Sequence, residues 1–408
     1  MAIYYVSADG CDRNDGQTPQ TAFQSIQRVN EILTGGDTVQ FRRGDTFYGQ
    51  LRPPRTNTTD SSTTYTAYGE GPKPIISQYK TALPHGWETT AEGIWRLDLT
   101  NPDNLTGNVT ELNANVGFLK VDGRIKPVKR LSLQALADPW DFYCDDRYVY
   151  VKSAKKPSDA ATDIKLACMI ICMGFADNLV VEQLVFTGTG GHGIAGSVHH
   201  AIIRDCEFHE IGGSELLSYP EPGVRFGNGV ECWTDSSDVL VEGCRFSGIY
   251  DVAITMQGNN VTSGWVDMTF RNNVIWNCQQ AFEVWSAGEL PGTGFQNCLF
   301  ENNVCIDSGY CWGYDVRPNK NPSCHLLLYT VQCPLCDITV RNNTFYNARV
   351  TPIYKSKGPQ EMPEGYRIID NVFMIEPGQD IFFREDGDEQ AYAALMQIIA
   401  SQNTIVER

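Results

Sequence analysis

Positive charge is scarce in this chain of 408 residues: 32 lysines and arginines stand against 49 aspartates and glutamates, a net charge of −17. Phosphate binding demands a basic face, so the balance argues against a nucleic-acid partner. A highly anionic polymer is also a poor match to such a field, unless a local basic cleft overrides it. Long apolar runs are missing too. No stretch is long enough to span a bilayer, which argues against a membrane partner, and no secretion signal stands ahead of the strand-like Ile3-Tyr-Tyr-Val6. That absence favours the cytoplasm over an exported protein whose signal has been removed. Histidine is rare, with six in all, and His192, His199, His200 and His209 have neither helical nor zinc-type spacing. Cys333-Pro-Leu-Cys336 has half of a zinc-ribbon spacing but no second pair, and reads as a turn. No metal and no cofactor is expected.

What is present is repetition. A strand-turn signature recurs in Ile203-Arg-Asp-Cys206-Glu-Phe208, Val241-Glu-Gly-Cys244-Arg-Phe246, Phe270-Arg-Asn-Asn273-Val-Ile275, Phe300-Glu-Asn-Asn303-Val-Cys305 and Val340-Arg-Asn-Asn343-Thr-Phe345. Weaker copies stand at Val181 to Phe186 and Ile368 to Phe373. Repeats this short cannot bury their own apolar face and must stack. Alternating apolar residues with Gly and Asn at the corners and little helix between them point to a parallel β-helix, one coil per repeat. The column Leu184, Cys206, Cys244, Asn273, Asn303, Asn343, Asn371 then forms an internal ladder, its amides bonding from coil to coil. Many of the 14 cysteines fall at inward or ladder positions, such as Cys206, Cys244, Cys298 and Cys305. A free thiol there is a small apolar group, a usage suited to a reducing compartment.

The expected organisation is one all-β domain: an N-terminal cap over 3–51, an inserted β subdomain over 87–151, regular coils over 164–385 and a C-terminal cap over 388–408. In the first cap, Thr21 and Gln24 form a capping box, and Phe23, Ile26, Val29 and Leu33 share one helical face that covers the open coil end. The insertion, with Trp95-Arg-Leu-Asp98, Phe118-Leu-Lys-Val-Asp122 and Tyr148-Val-Tyr-Val151, reads as antiparallel strands. It serves equally as a wall of a cleft or as a second cap. Longer loops at Gly212 to Asn228, Gly288 to Gly294 and Asp315 to Thr330 rise around one face. An acidic hinge after Glu385 leads to a closing helix.

The opening Tyr5-Val-Ser-Ala-Asp-Gly10, Gly36-Asp-Thr-Val and Arg43-Gly-Asp-Thr-Phe47 resemble the start of bacterial right-handed parallel β-helix proteins of the pectate-lyase-like superfamily. Gly227-Asn-Gly-Val-Glu-Cys-Trp233, Tyr250 to Gln257, Trp276 to Trp285 and Gly309-Tyr-Cys-Trp-Gly313 resemble a carbohydrate-active subgroup. The resemblance implies a right-handed solenoid and a carbohydrate partner, but no single reaction. Polygalacturonases of this fold carry Asn-Thr-Asp, Asp-Asp, Gly-His-Gly and Arg-Ile-Lys in that order. Here Gly191-His-Gly193 is isolated and Arg124-Ile-Lys126 lies upstream of it, so both read as chance.

Two segments, Val230-Glu-Cys-Trp233 and Phe282-Glu-Val-Trp285, turn an apolar residue inward and present Glu and Trp on the other face. Registering the coils places Ala195, Glu231, Thr255, Glu283, Gly313 and Tyr354 in one outward column, with Ser197, Trp233, Gln257, Trp285 and Asp315 beside it. Paired carboxylates are the apparatus of glycoside hydrolysis, so Glu231 and Glu283 are the candidate catalytic pair. Asp251 is a second carboxylate or a tuning partner. Trp233, Trp285, Gln257, Thr255, Trp312, Asp315, Arg317 and His325 are candidate substrate contacts. With one coil between them, Glu231 and Glu283 suit an inverting hydrolase of a neutral or weakly charged glycan, whereas Asp251 would bring the gap towards the retaining distance. The alternatives are a polysaccharide lyase or uronate epimerase, with Lys355 or Arg317 as base and calcium as cofactor, and a non-catalytic glycan-binding β-helix.

Overall fold

The computed structural model describes residues 1–55, 61–259, 263–288, 292–356, 362–384 and 389–408. The described strands stack in parallel, coil upon coil, in three long sheets of ten, ten and eight strands. The first sheet runs from Ile3–Val6 to Tyr366–Ile369, the second from Thr46–Tyr48 to Thr404–Glu407, and the third from Met173–Gly174 to Phe382–Arg384. From Leu179 onward each coil gives one principal strand to each sheet. Inward residues meet their own kind in the next coil: Phe208 stacks on Phe186 at 5.2 Å and on Phe246 at 4.8 Å. This is the parallel β-helix that the repeats predict.

The ladder is built by hydrogen bonds that each coil lends to the next. Asn303 Oδ1 accepts from the N–H of Asn273 at 2.9 Å, while Asn303 Nδ2 donates to Asn343 Oδ1 at 3.0 Å and to the Phe270 carbonyl at 3.1 Å. Cys244 enters the same series through its N–H, which donates to Asn273 Oδ1 at 2.9 Å. The series continues past Asn371 to Asn403, whose Oδ1 accepts from the Asn371 N–H at 2.9 Å. Gln402-Asn-Thr-Ile405 is therefore one more copy of the signature, too short to be read as such in the sequence.

A second ladder, of charges, lies on the outer side of the first sheet. Glu182, Arg204, Glu242, Arg271, Glu301 and Arg341 are register partners from coil to coil, with sign alternating at every step. Arg271 meets Glu242, and Arg341 meets Glu301, at 2.9 Å. Each pair is worth little on a solvated surface, but a slip of one coil would set like charges face to face.

The insertion is larger than expected. Ile164–Cys168 pairs antiparallel with Val116–Val121 and with Lys80–Ala82, so it belongs to the insertion's five-stranded sheet and the regular coils begin near Met173. Trp87–Ala91, Ile94–Asp98, Phe142–Cys144 and Tyr148–Lys152 make a second, four-stranded antiparallel sheet. Arg225 fastens the insertion to the coils: its guanidinium donates to the carbonyls of Gly213, Gly117 and Pro127 at 2.6, 2.6 and 3.1 Å.

At the first end, helix Ile26–Ile32 buries Ile26 and Val29, and Phe23 and Leu33 join the same core. Its N-cap is Ser25, whose Oγ accepts from the Arg28 N–H at 3.1 Å, and not Thr21. Thr21 instead closes a short turn with Thr18. At the other end, helix Glu389–Gln402 lays Leu395 and Ile399 against the core. The hinge residues 385–388 and loop residues 289–291 lie outside the described residues.

Replacing Asn303 by Leu removes donors and an acceptor from a sealed bend, so stability should fall by roughly 1–3 kcal/mol. Urea unfolding of the variant is the check. An unchanged midpoint would mean that the ladder bonds are replaced by water without loss.

Candidate active site

The third sheet carries the site. Its outward column is Ala195, Glu231, Thr255, Glu283, Leu327 and Tyr354. Gly313 is displaced from it because the strand of that coil is the later apolar run Cys324–Val331. Gly313 and Asp315 stand instead on the loop ahead of it, Asp315 in the short turn Tyr314–Val316. The Trp-Gly sequence resembles the presented strands in composition, but the β-rich run lies eleven residues on. Beside the column, Gln257 is in register with Trp285, and the Trp233 N–H is bonded to the Gly196 carbonyl of the preceding coil. Trp233 is exposed, as is Tyr329, which the sequence reading did not single out.

Glu231 is buried and fully engaged. Oε1 accepts from Trp233 Nε1 at 2.7 Å and from Gln257 Nε2 at 2.6 Å. Oε2 accepts from Asn228 Nδ2 at 2.9 Å and meets His192 Nδ1 at 2.6 Å. The same imidazole nitrogen lies 3.2 Å from the Asn228 N–H, and the shorter carboxylate contact assigns it the proton. Burial alone would raise this acid. The charge and hydrogen bond of His192, with the amides of Gln257 and Asn228, outweigh burial and hold it down at about 2.

Glu283 is the opposite case. It is buried, and among the described residues its one hydrogen-bond donor is Thr255, whose Oγ1 lies 3.0 Å from Oε2. Among the described residues the other oxygen has no partner. Burial, then repulsion by Asp251, and then by Glu231, push it up to about 8 against the pull of the Thr255 hydroxyl and of Arg317. Asp251 stands at the head of the neighbouring strand Val252–Asn259. Its Oδ1 pairs with Arg317 Nη1 at 2.7 Å, and the same guanidinium nitrogen donates to the Tyr250 carbonyl at 3.2 Å.

The remaining candidates separate. Thr255, Gln257, Trp233, Trp285 and Arg317 belong to this cluster. Trp312 does not face substrate: Nε1 donates to the Gly248 carbonyl at 2.9 Å, and the ring packs against Phe118 of the insertion at 4.8 Å and Tyr250 at 5.3 Å. His325 lies inside the coil, with Nδ1 bonded to Ser308 at 2.8 Å and the ring against Phe345. Burial pushes its imidazole down to about 3, so it stays neutral. Asp315 is exposed on the wall of a neighbouring cavity with Arg317. Lys355 is in register with Leu328, on the opposite parity to Glu283. His192 and Asn228 were missed. His192 meets Glu231 across coils, and the signal for Asn228 was its place in the turn just ahead of the Glu231 strand.

Residues 170–345 match the family model described as a right handed beta helix region. The fold is a right-handed parallel β-helix. A structure of XylC in complex with xylose is 11% identical and superimposes with a TM-score of 0.57, covering 94% of this chain and 70% of that one. A structure named only as a glycoside hydrolase is 11% identical, with a TM-score of 0.51 and coverage of 100% and 96%. A GH136 lacto-N-biosidase from Eubacterium ramulus is 15% identical, with a TM-score of 0.49 and coverage of 100% and 68%. At these identities the likeness is one of fold. No curated protein matches the chain. No helix among the described residues is long and apolar enough to cross a membrane.

The two carboxylates act on stability with opposite signs. Glu231, lowered to about 2, contributes stability that is present above its ordinary value of 4.5 and is lost as pH falls towards 2. Glu283, raised to about 8, contributes stability that is full below 4.5 and is lost as pH rises through 8. Glu283→Gln should therefore melt higher than wild type at pH 8 and flatten the decline above pH 4.5. An equal or lower melting temperature at pH 8 would contradict the placement of Glu283.

Proposed function

We propose that the protein is a glycoside hydrolase, with a carbohydrate substrate, in which Glu283 is the proton donor and Asp251 the opposing carboxylate. The observation that carries this reading is the asymmetry of two buried acids on one face. Glu231 has all four acceptor positions of its carboxylate filled, and nothing is left with which to take a proton or attack carbon. Glu283 keeps one oxygen without a hydrogen-bond partner among the described residues. Asp251 has one oxygen on Arg317, and among the described residues its other oxygen has no partner. The expectation of a Glu231 and Glu283 pair thus gives way to one in which Glu231 positions Trp233, Gln257 and His192.

Glu283 is protonated at neutral pH and delivers its proton to the glycosidic oxygen as the bond to the anomeric carbon breaks. Asp251 forms the new bond to that carbon from the opposite face, giving a glycosyl ester. With Asp251 esterified, its repulsion of Glu283 is gone, and the acid, still raised by burial, shifts down towards the ordinary range. It then removes a proton from the water that hydrolyses the ester, and both carboxyls are restored. The likeness in fold to XylC bound to xylose and to a glycoside hydrolase supports a carbohydrate substrate.

A lyase is less well supported. Arg317 is committed to Asp251, and Lys355 lies on the parity that faces the core.

Glu283→Gln and Asp251→Asn should each lower turnover by about 10²–10⁴-fold or more while leaving the fold intact. The first-formed product, followed by its anomeric proton in NMR, should retain configuration, since the proposed step forms an ester on Asp251, at the head of the strand next to that of Glu283. Inversion would restore Glu231, two strands from Glu283, as the second carboxylate.

A further inference from the structure

The imidazole of His192 has one nitrogen fixed and one free. Nδ1 is held by Glu231 at 2.6 Å and the ring lies against Phe226, with centroids 5.0 Å apart. Nε2 has no hydrogen-bond partner among the described residues and is not sealed from the surface. It borders a cavity of about 370 Å³ walled by Trp233, Phe226, Ile171, Met169 and Leu112, with Gln50, Glu111 and Asn113 as further polar lining. The volume lies in the range of roughly 300–1,000 Å³ typical of small-molecule sites, and so does the plan of apolar walls around a few polar groups.

The walls come from two separate units. Trp233, His192 and Phe226 belong to the coils, and Leu112 belongs to the insertion. Glu231 braces the coil side, because it holds the indole edge of Trp233 with one oxygen and His192 with the other. Trp233 is 41% exposed although its N–H is bonded, so what it presents is an aromatic face in a fixed orientation. An apolar plate beside a few polar groups, His192 among them, suits a ring that is apolar on its faces and hydroxylated at its edge.

We propose that this cavity is a glycan subsite, distant from the bond that is cut, which seats one neutral sugar ring on Trp233 and Phe226 with His192 Nε2 bonded to a ring hydroxyl. The proposal rests on the glycan reading above. His192 leads into the strand Ile194–Gly196, three strands from that of Glu283, a distance of roughly 14 Å. The subsite therefore engages only substrates long enough to extend past Glu231, and its contacts are made equally in the ground and transition states. Loss of such contacts raises KM without lowering kcat.

The test uses the full chain and two variants. Ile171→Trp fills the cavity. His192→Asn keeps an amide donor for Glu231 and lacks a counterpart of Nε2. Saturation-transfer NMR with xylose, glucose, galactose and N-acetylglucosamine should show at least one of them bound to wild type and to Glu283→Gln, and at least tenfold weaker binding to both cavity variants. On the longest oligosaccharide that is cleaved, Ile171→Trp should raise KM at least tenfold at unchanged kcat, and the effect should vanish on the shortest. If no probe binds, or if both variants bind and turn over like wild type, the subsite is refuted even where Glu283→Gln has abolished hydrolysis. If binding follows the expected pattern while no glycan is cleaved, the subsite stands and the hydrolase reading falls.

Discussion

Everything at the site depends on register, and register is held by buried hydrogen bonds at the bends. Parallel coils are free to slide unless something counts them, because the core residues of adjacent coils, Phe on Phe or Val on Val, fit nearly as well one coil out of step. The Asn ladder counts them. Each amide from Asn273 to Asn371 donates to the next coil and accepts from the previous one, and a displaced coil would leave these groups unpaired where water cannot reach them. The alternation of Glu and Arg on the first sheet acts in the same direction from outside. With both ladders set, the third sheet has no freedom to place Glu231, Thr255 and Glu283 anywhere but in line.

Given that alignment, the contrast between the two glutamates follows from what surrounds them. Both are removed from water, and burial opposes the charge of each. Glu231 receives compensation from every side. Glu283 receives one hydroxyl and is repelled by Asp251 at the head of the neighbouring strand, so the proton is the cheaper counterion. One sheet face thus produces an ionised acid and a protonated one without any difference in depth. The energy for holding Glu283 in this state comes from the stacked coils, which order the face at no further cost once the ladders are formed.

Much of this was legible in the sequence, and the parts that were not have a common cause. The solenoid, the ladder from Cys206 to Asn371 and the column of Glu231, Thr255 and Glu283 follow from spacing, since a period of two along a strand and one coil per repeat are properties a sequence displays. The alternating Glu182, Arg204, Glu242, Arg271, Glu301 and Arg341 were equally visible at the second position of each signature, hidden only because attention went to the Asn two places on. Loops broke the inference. The coil of Cys324–Val331 was registered on Gly313 because its connecting loop carries the Trp and Gly of a presented strand, and no local rule says where a long loop ends. His192 was dismissed because its partner, Glu231, is 39 positions later and meets it across coils, where neither helical nor zinc spacing applies.

The saturation of Glu231 changes the sense in which a repeated Glu-x-Trp is a motif. In Phe282-Glu-Val-Trp285 the carboxyl is left with one hydrogen bond and held protonated, while in Val230-Glu-Cys-Trp233 the same residues form a brace. The difference lies in the neighbouring coil. Glu231 has the His192 coil on one side and Gln257 on the other, so both of its oxygens find donors. Glu283 has Thr255 on one side and Leu327 on the other, and Leu327 offers no hydrogen bond. A leucine where another polar residue would fit thus keeps one oxygen of Glu283 free. Were Leu327 an Asn or Gln, the second oxygen would gain a donor, the pull of burial would be offset as it is at Glu231, and the carboxyl would ionise.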